Sequence, residues 1–223
     1  MRETRWVPTM SEFPMPPEGT AADLIAAGLR LFGVKGFAAT STRELAAAAD
    51  TNVASIAYHF GSKEGLRRAC GAEVARRMAR ALSTPMTSPP VSREDAALRL
   101  ETVLRAMAAF VLTSEDAEPI LPFMLRELAE AGPVLDAVYG TLMEPMHRRF
   151  CALWAAATGQ EAESPRTRLL VFTLVGQLLY FRIGGPIVTR RMGWNGIGRS
   201  EADTIADLLA LNLRTLLERE ACP

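Results

Sequence analysis

Apolar residues recur at intervals of three and four from Leu24 almost to Leu217, and strict two-residue alternation is scarce. That period predicts an all-α chain. The first stripe is Leu24, Ile25, Gly28, Leu31 and Phe32; it follows Thr20-x-x-Asp23, a capping-box pattern, so a helix is expected from Thr20, ending at Gly33 and Gly36. Ser41-x-x-Glu44 predicts a short second helix with Leu45 and Ala46 turned inward. "AADTN" breaks it, with Asp50 and Asn52 as turn and cap residues, and a short third helix is expected from about Val53 to His59. Gly61 stops that helix, and Ser62 caps a longer fourth through about Leu82.

Residues 1–19 hold four prolines and no sustained period, which predicts a mobile arm. "STPMTSPPVS" reads as a Pro/Ser linker. Five further helical stretches are expected beyond it. Ser92-x-x-Asp95 opens the first, Pro119 lies near the start of the second, and Pro133 sits in the first turn of a long third that Pro145 should kink. Ser164-Pro165 opens the fourth and Ser200-x-x-Asp203 the last. The expected organisation is an arm at 1–19, an N-terminal helical domain with its connecting helix at 20–82, and a C-terminal helical domain at 92–220.

The formal net charge of zero argues against a nucleic-acid partner until it is counted by segment. Residues 20–82 carry nine Lys/Arg against five Asp/Glu, a surplus of four that suits a polyanion-binding module. The three cysteines, Cys70, Cys151 and Cys222, have no disulfide or metal-ligand spacing and read as free thiols of a reducing compartment. The most apolar run, Leu169–Ile183, is shorter than the roughly 20 residues of a bilayer span and contains Gln177. With no export signal, the expectation is a cytoplasmic protein without a membrane partner. No Gly-x-Ser-x-Gly, phosphate-cradling glycine loop or metal-ligand cluster occurs, so no enzyme, metal or cofactor is expected.

Helix two, the turn and helix three have the lengths of a helix-turn-helix. Ile56 and Phe60, four apart, share a face that can pack on helices one and two, which turns Tyr58 and His59 elsewhere. Those two side chains, followed by Lys63, supply donors for a line of phosphates. The third helix would offer Val53, Ala54 and Ser55 to base edges, while Arg43, beside Thr42, would reach guanine from the second. Taken alone, Tyr58-His59-Phe60 also fits an aromatic core cluster.

Residues 20–66 resemble the DNA-binding region of TetR/AcrR-type transcriptional repressors, on an "LF..KGF..TS" ending of helix one, "TRELA" and "YHFGSKEGL". "NVASIAYHFGSKEGL" and "GQLLYFRIGGPIVTRRMGW" further resemble one subgroup. The resemblance implies DNA contact by Arg43, Ser55, Tyr58, His59 and Lys63. Two departures stand out: Ala57 occupies a place where many members have a phosphate-contacting aromatic, and Asp50 replaces the usual turn glycine.

The fourth and fifth C-terminal stretches carry more apolar surface than one core needs, which predicts an isologous four-helix interface in a homodimer. Its expected residues are Phe172, Gly176, Leu179, Leu209, Asn212, Leu213 and Leu216. Between linker and interface lie Met107, Phe110, Phe123, Tyr139, Met143, His147, Phe150 and Trp154, a Met-rich and aromatic set that suits a pocket for an apolar or aromatic effector, or plain core packing. The function expected is a ligand-responsive repressor on a palindromic double-stranded DNA operator. The alternatives are a helical interaction protein, or a DNA-binding regulator without a small-molecule effector.

Overall fold

The computed structural model describes residues 16–82, 88–130 and 132–221, apart from the side chains of Leu82 and Pro133. Most of the expected arm, half of the linker and Cys222 therefore lie outside the described residues. The helices are α1 (Gly19–Lys35), α2 (Thr42–Ala48), α3 (Ala54–Phe60), α4 (Lys63–Leu82), α5 (Arg93–Thr113), α6 (Ile120–Glu130), α7 (Pro133–Val138), α8 (Glu144–Thr158), α9 (Pro165–Ile183), α10 (Gly185–Met192) and α11 (Arg199–Glu220). No strand occurs among the described residues, so the all-α class holds.

They divide into two compact units. The first combines residues 16–79 with 116–143. Leu24, Leu29, Phe32, Leu45, Ile56, Leu66, Phe123 and Leu142 are among its fully buried side chains, each stabilising by about 1.5–3 kcal/mol. The expected start of α1 is corrected: Glu18 takes the cap position, no side chain caps it, and Thr20 falls within the first turn. Gly33 does not end α1 either. It stays inside the helix, and glycine is required there because a Cβ would lie 2.9 Å from the Phe123 amide nitrogen. The linker gives no hint that residues 116–143 return to the helix-turn-helix. That return is fixed by this close seat of α6 on α1.

Ser41 and Glu44 form the expected reciprocal cap of α2. Asp50 adopts φ 48°, the left-handed conformation that asparagine and aspartate tolerate, so losing a turn glycine there leaves the turn intact. Asn52 Oδ1 accepts the Ser55 N–H at 3.1 Å, Gly61 ends α3 at φ 74°, and Ser62 Oγ accepts the Gly65 N–H.

The second unit combines residues 80–115 with 144–221. Met107, Phe150, Leu153, Trp154, Val171, Leu178, Ile205, Leu209 and Leu213 belong to one buried cluster built by α5, α8, α9 and α11. Ser92 and Ser164 cap α5 and α9 as expected. On α11 the cap shifts to Gly198, whose N–H is accepted by Glu201, so Ser200 and Asp203 lie inside the helix. The long third stretch is two helices, α7 and α8, with a π-helical turn at Tyr139–Met143 between them, just before Pro145. Helix α10 escapes the sequence pattern because its eight residues follow α9 after Gly184 alone, at a 73° bend. No single helix among the described residues is long and apolar enough to cross a membrane.

Candidate nucleic-acid interface

Helices α2 and α3 pack on α1 and on each other. Leu45, Ala46 and Ile56 supply the buried side and fix which residues remain outside. Arg43, Val53, Ala54, Tyr58 and His59 are exposed, whereas Thr42 and Ser55 are half-buried. Tyr58 stands 85% exposed, so the reading of Tyr58-His59-Phe60 as a core cluster fails for its first two members. Its ring meets His59 edge-on at 4.9 Å, and Phe60 alone turns inward to half-burial. Ser55 Oγ lies 2.8 Å from Thr51 Oγ1, which holds the hydroxyl beside the start of α3. Among the described residues Arg43 makes no ion pair, unlike Lys35, which is bonded to Glu44.

Lys63 differs from expectation. Its ammonium donates to the carbonyl oxygens of Phe37 at 3.0 Å and Thr40 at 2.9 Å, and it stands 4.2 Å from the Phe37 ring centroid. Two of its three protons are thus committed inside the unit, tying the start of α4 to the α1–α2 loop. From sequence this lysine reads as a phosphate donor, because the two carbonyls, more than twenty residues earlier, leave no local signal. Thr40 is missed in the same way: it is 1% exposed and donates to Gly36 O at 2.8 Å. The Lys35 hydrogen bond, with those from Ser41, lowers the Glu44 carboxyl to about 2. The depressed value means the cap's contribution is full above the unfolded 4.5 and is lost progressively as pH falls from there through about 2.

The electrostatic balance changes as well. Over residues 16–79 and 116–143 there are nine basic and eleven acidic side chains, so the segmental surplus is not a property of the folded unit. Arg67 is bound by Glu127 and Glu130, and Arg76 and Arg77 by Glu73. Arg30, Arg43 and Arg68 are exposed and make no ion pair among the described residues, and of these Arg43 belongs to the α2–α3 pair, with exposed Tyr58 and His59.

The expected effector set is split. Met107, Phe150 and Trp154 share the second unit's buried cluster, whereas Phe123, Tyr139 and Met143 belong to the first unit. Phe123 is 0% exposed, because Gly33 leaves it only a core seat, and Tyr139 is 52% exposed. Phe110 and His147 are half-buried. His147 stacks on Phe172 at 4.0 Å and its Nε2–H donates to Arg168 O. Burial pushes the Cys151 thiol beside it up to about 11.

The expected interface set also needs correction. Leu209 and Leu213 are 3% and 1% exposed and belong to their own core, and Leu216 packs against it. The apolar residues of α11 lie on two faces. The outer one carries Leu208, Leu211 and Asn212, and Asn212 donates to Gln177 of α9 at 2.9 Å. On α9 the outer face is Leu169, Phe172, Gly176, Tyr180 and Ile183, at steps of three and four, with Leu179 half-buried beside it.

A helical pair with an exposed polar and aromatic side, set on a third helix and followed by a long fourth, is the arrangement of a helix-turn-helix module. Residues 24–70 match the family described as "Bacterial regulatory proteins, tetR family", and residues 96–219 match "HTH-type transcriptional dual regulator CecR, C-terminal domain". The chain belongs to the TetR family. It is 33% identical over 210 residues to the HTH-type transcriptional dual regulator CecR of Shigella flexneri, covering 90% of this chain and 92% of that one. Among solved structures, a TetR-like transcriptional regulator from Rhodococcus sp. RHA1 is similar over 92% of this chain and 99% of its own, with TM-score 0.65 and 21% identity. AibR in complex with isovaleryl coenzyme A and operator DNA is similar over 86% of this chain and 96% of its own, with TM-score 0.60 and 17% identity. At these identities the two structures speak to the fold.

Proposed function

We propose that the protein is a homodimeric repressor that binds a palindromic operator through α2 and α3 and is released by a small apolar or aromatic effector. The observation that carries the DNA reading is the 85% exposure of Tyr58 at the end of α3, beside exposed His59 and with exposed Arg43 on α2. Arg43 is the base reader, Tyr58 and His59 are phosphate donors, and Lys63 holds the loop behind them. Arg43→Ala should cost about 1–3 kcal/mol and relax the preference at one base pair. Tyr58→Phe should weaken binding to all sequences alike. Titration against a panel of single-base operator variants separates the two roles; an equal loss for Arg43→Ala on every duplex contradicts its assignment.

The effector reading is supported by Met107, Phe150 and Trp154 lying in one buried cluster and by one unmet polar group within it. Trp154 is 0% exposed, and its Nε1 is the one buried side-chain nitrogen or oxygen without a hydrogen-bond partner among the described residues. A buried donor without an acceptor costs about 1–3 kcal/mol, so an apolar molecule carrying a hydrogen-bond acceptor gains there what a plain hydrocarbon does not. AibR, of the same fold, carries a ligand together with operator DNA, which supports an effector here too. Binding would lower operator affinity by about 5–150-fold, the usual range of such coupling. In proton–nitrogen NMR spectra, the indole resonance of Trp154 should move on adding an acceptor-bearing aromatic ketone and stay in place with the matching alkylbenzene. Shifts confined to other residues would place the ligand elsewhere.

A second reading follows from the Shigella flexneri relative, whose name makes it a dual regulator: operator binding here would activate some promoters and repress others. Reporter fusions to several bound promoters, with and without the protein, separate the two.

A further inference from the structure

Within the first unit, one turn of α6 is bonded to both sides of the segment that leads into the helix-turn-helix. Arg126 donates to Val34 O at 3.1 Å and Gly33 O at 3.4 Å, carbonyls in the last turn of α1. The next residue, Glu127, is 1% exposed and receives Arg67 of α4 as a fork, Nε to Oε1 at 2.7 Å and Nη2 to Oε2 at 3.0 Å; Glu130 accepts from the same Nη2. The Arg67 guanidinium stands 4.6 Å from the centroid of Phe37 in the α1–α2 loop, and Lys63 stands 4.2 Å from it. Lys63 then holds the carbonyls of Phe37 and Thr40, directly before the Ser41 cap of α2.

We propose that Glu127 and Arg67 are positioning residues for DNA reading, setting the α1–α2 loop, and through it Arg43 and Tyr58, by way of the Phe37 ring. A buried ion pair is generally no more stabilising than a well-packed apolar pair of the same volume. What the fork supplies is direction: a bidentate guanidinium–carboxylate pair has one geometry, and it lays the guanidinium plane against an aromatic face. Leucine at both positions would fill the space and leave the ring free to slide. None of these groups reaches outward like Arg43, so their effect on binding passes through the loop rather than through a phosphate.

That difference is measurable. The proposal rests on the DNA-binding reading, and its test uses the full chain and the duplex it enriches from a random library. Glu127→Gln keeps the volume and breaks the charged fork, and Phe37→Leu removes the ring. Each should weaken binding about tenfold, with the slope of log affinity against log salt unchanged because no phosphate contact is lost. The double variant should also lose about tenfold rather than a hundredfold, since both changes interrupt one chain of contacts. Circular dichroism at the assay temperature confirms that each variant is folded. Arg67→Lys, which keeps the charge and loses the fork, provides a second arm and should show the same tenfold loss. Wild-type affinity in Glu127→Gln and Arg67→Lys, a flattened salt slope, or multiplying losses in the double variant would each overturn the proposal. A wild-type chain that enriches no duplex would overturn the DNA reading itself, which the variants alone do not touch.

Discussion

Leu211→Glu and Phe172→Glu should each convert a dimer into monomers and lower operator affinity by about 10²–10⁴-fold, the gain that joining two binding modules confers. The reason lies in the outer faces of α9 and α11. Phe172, Tyr180 and Ile183 are 58%, 56% and 54% exposed, and Leu208 and Leu211 are 55% and 53% exposed. Exposed apolar residues scattered singly are ordinary, but these follow helical steps on two helices joined by the Asn212–Gln177 hydrogen bond. At Gly176, midway along the α9 face, a Cβ would meet nothing within 4 Å, so a second copy can approach the backbone closely. A carboxylate placed on this face is exposed in the monomer, where at Phe172 it gives up the stack on His147, yet buried and unpaired in the dimer. Sedimentation velocity should show monomers with unchanged circular dichroism. Leu209→Glu, by contrast, buries its charge in the monomer's own core and should unfold the second unit rather than dissociate it.

Gly65→Ala should abolish DNA binding at temperatures where the second unit is still folded. A Cβ at residue 65 would lie 1.9 Å from the carbonyl oxygen of Phe60 and 3.0 Å from its carbonyl carbon, both of them backbone atoms. No rotamer change relieves that contact. The end of α3 must swing away from the start of α4, which moves Tyr58 and His59 and disturbs the Lys63 clamp. Overpacking costs about 1–3 kcal/mol where side chains can yield, and a fixed backbone places this case at or beyond the upper end. Calorimetry should show the transition of the first unit moved down and that of the second unit unchanged, with operator binding lost. A variant that binds and melts like the wild type would mean the α3–α4 turn has slack.

The local elements were legible because their signals are local. Ser41/Glu44, Ser92 and Ser164 announce helix starts with residues three apart, and Gly61 announces a stop. The exposed side of α3 also follows from the spacing of Ile56 and Phe60. The missing parts depend on distant partners. Whether Gly33 ends a helix or seats Phe123 is decided ninety residues away. The fate of Lys63 is likewise decided at a distance, by carbonyls that carry no side-chain signature. The same holds for α11, where Leu208 and Leu209 look alike in the sequence; only packing against α5 and α8 sends one inward and leaves the other outside. Charge counting by segment fails for a related reason, since α6 brings Glu127 and Glu130 back onto Arg67.

Two copies of this chain reading a two-fold symmetric site through α2 and α3 should leave a symmetric footprint in the DNA they choose. Selection of duplexes from a random library by the full-length protein, followed by sequencing and by the mass of the protein–DNA complex, reads that footprint. The expected result is an inverted repeat with half-site centres about 34–36 Å apart along the duplex, or a multiple of that, bound by an even number of chains; in Arg43→Ala the preference should be lost at one position of each half-site. Enrichment of an asymmetric sequence bound by a single chain, or of no sequence at all, would contradict it.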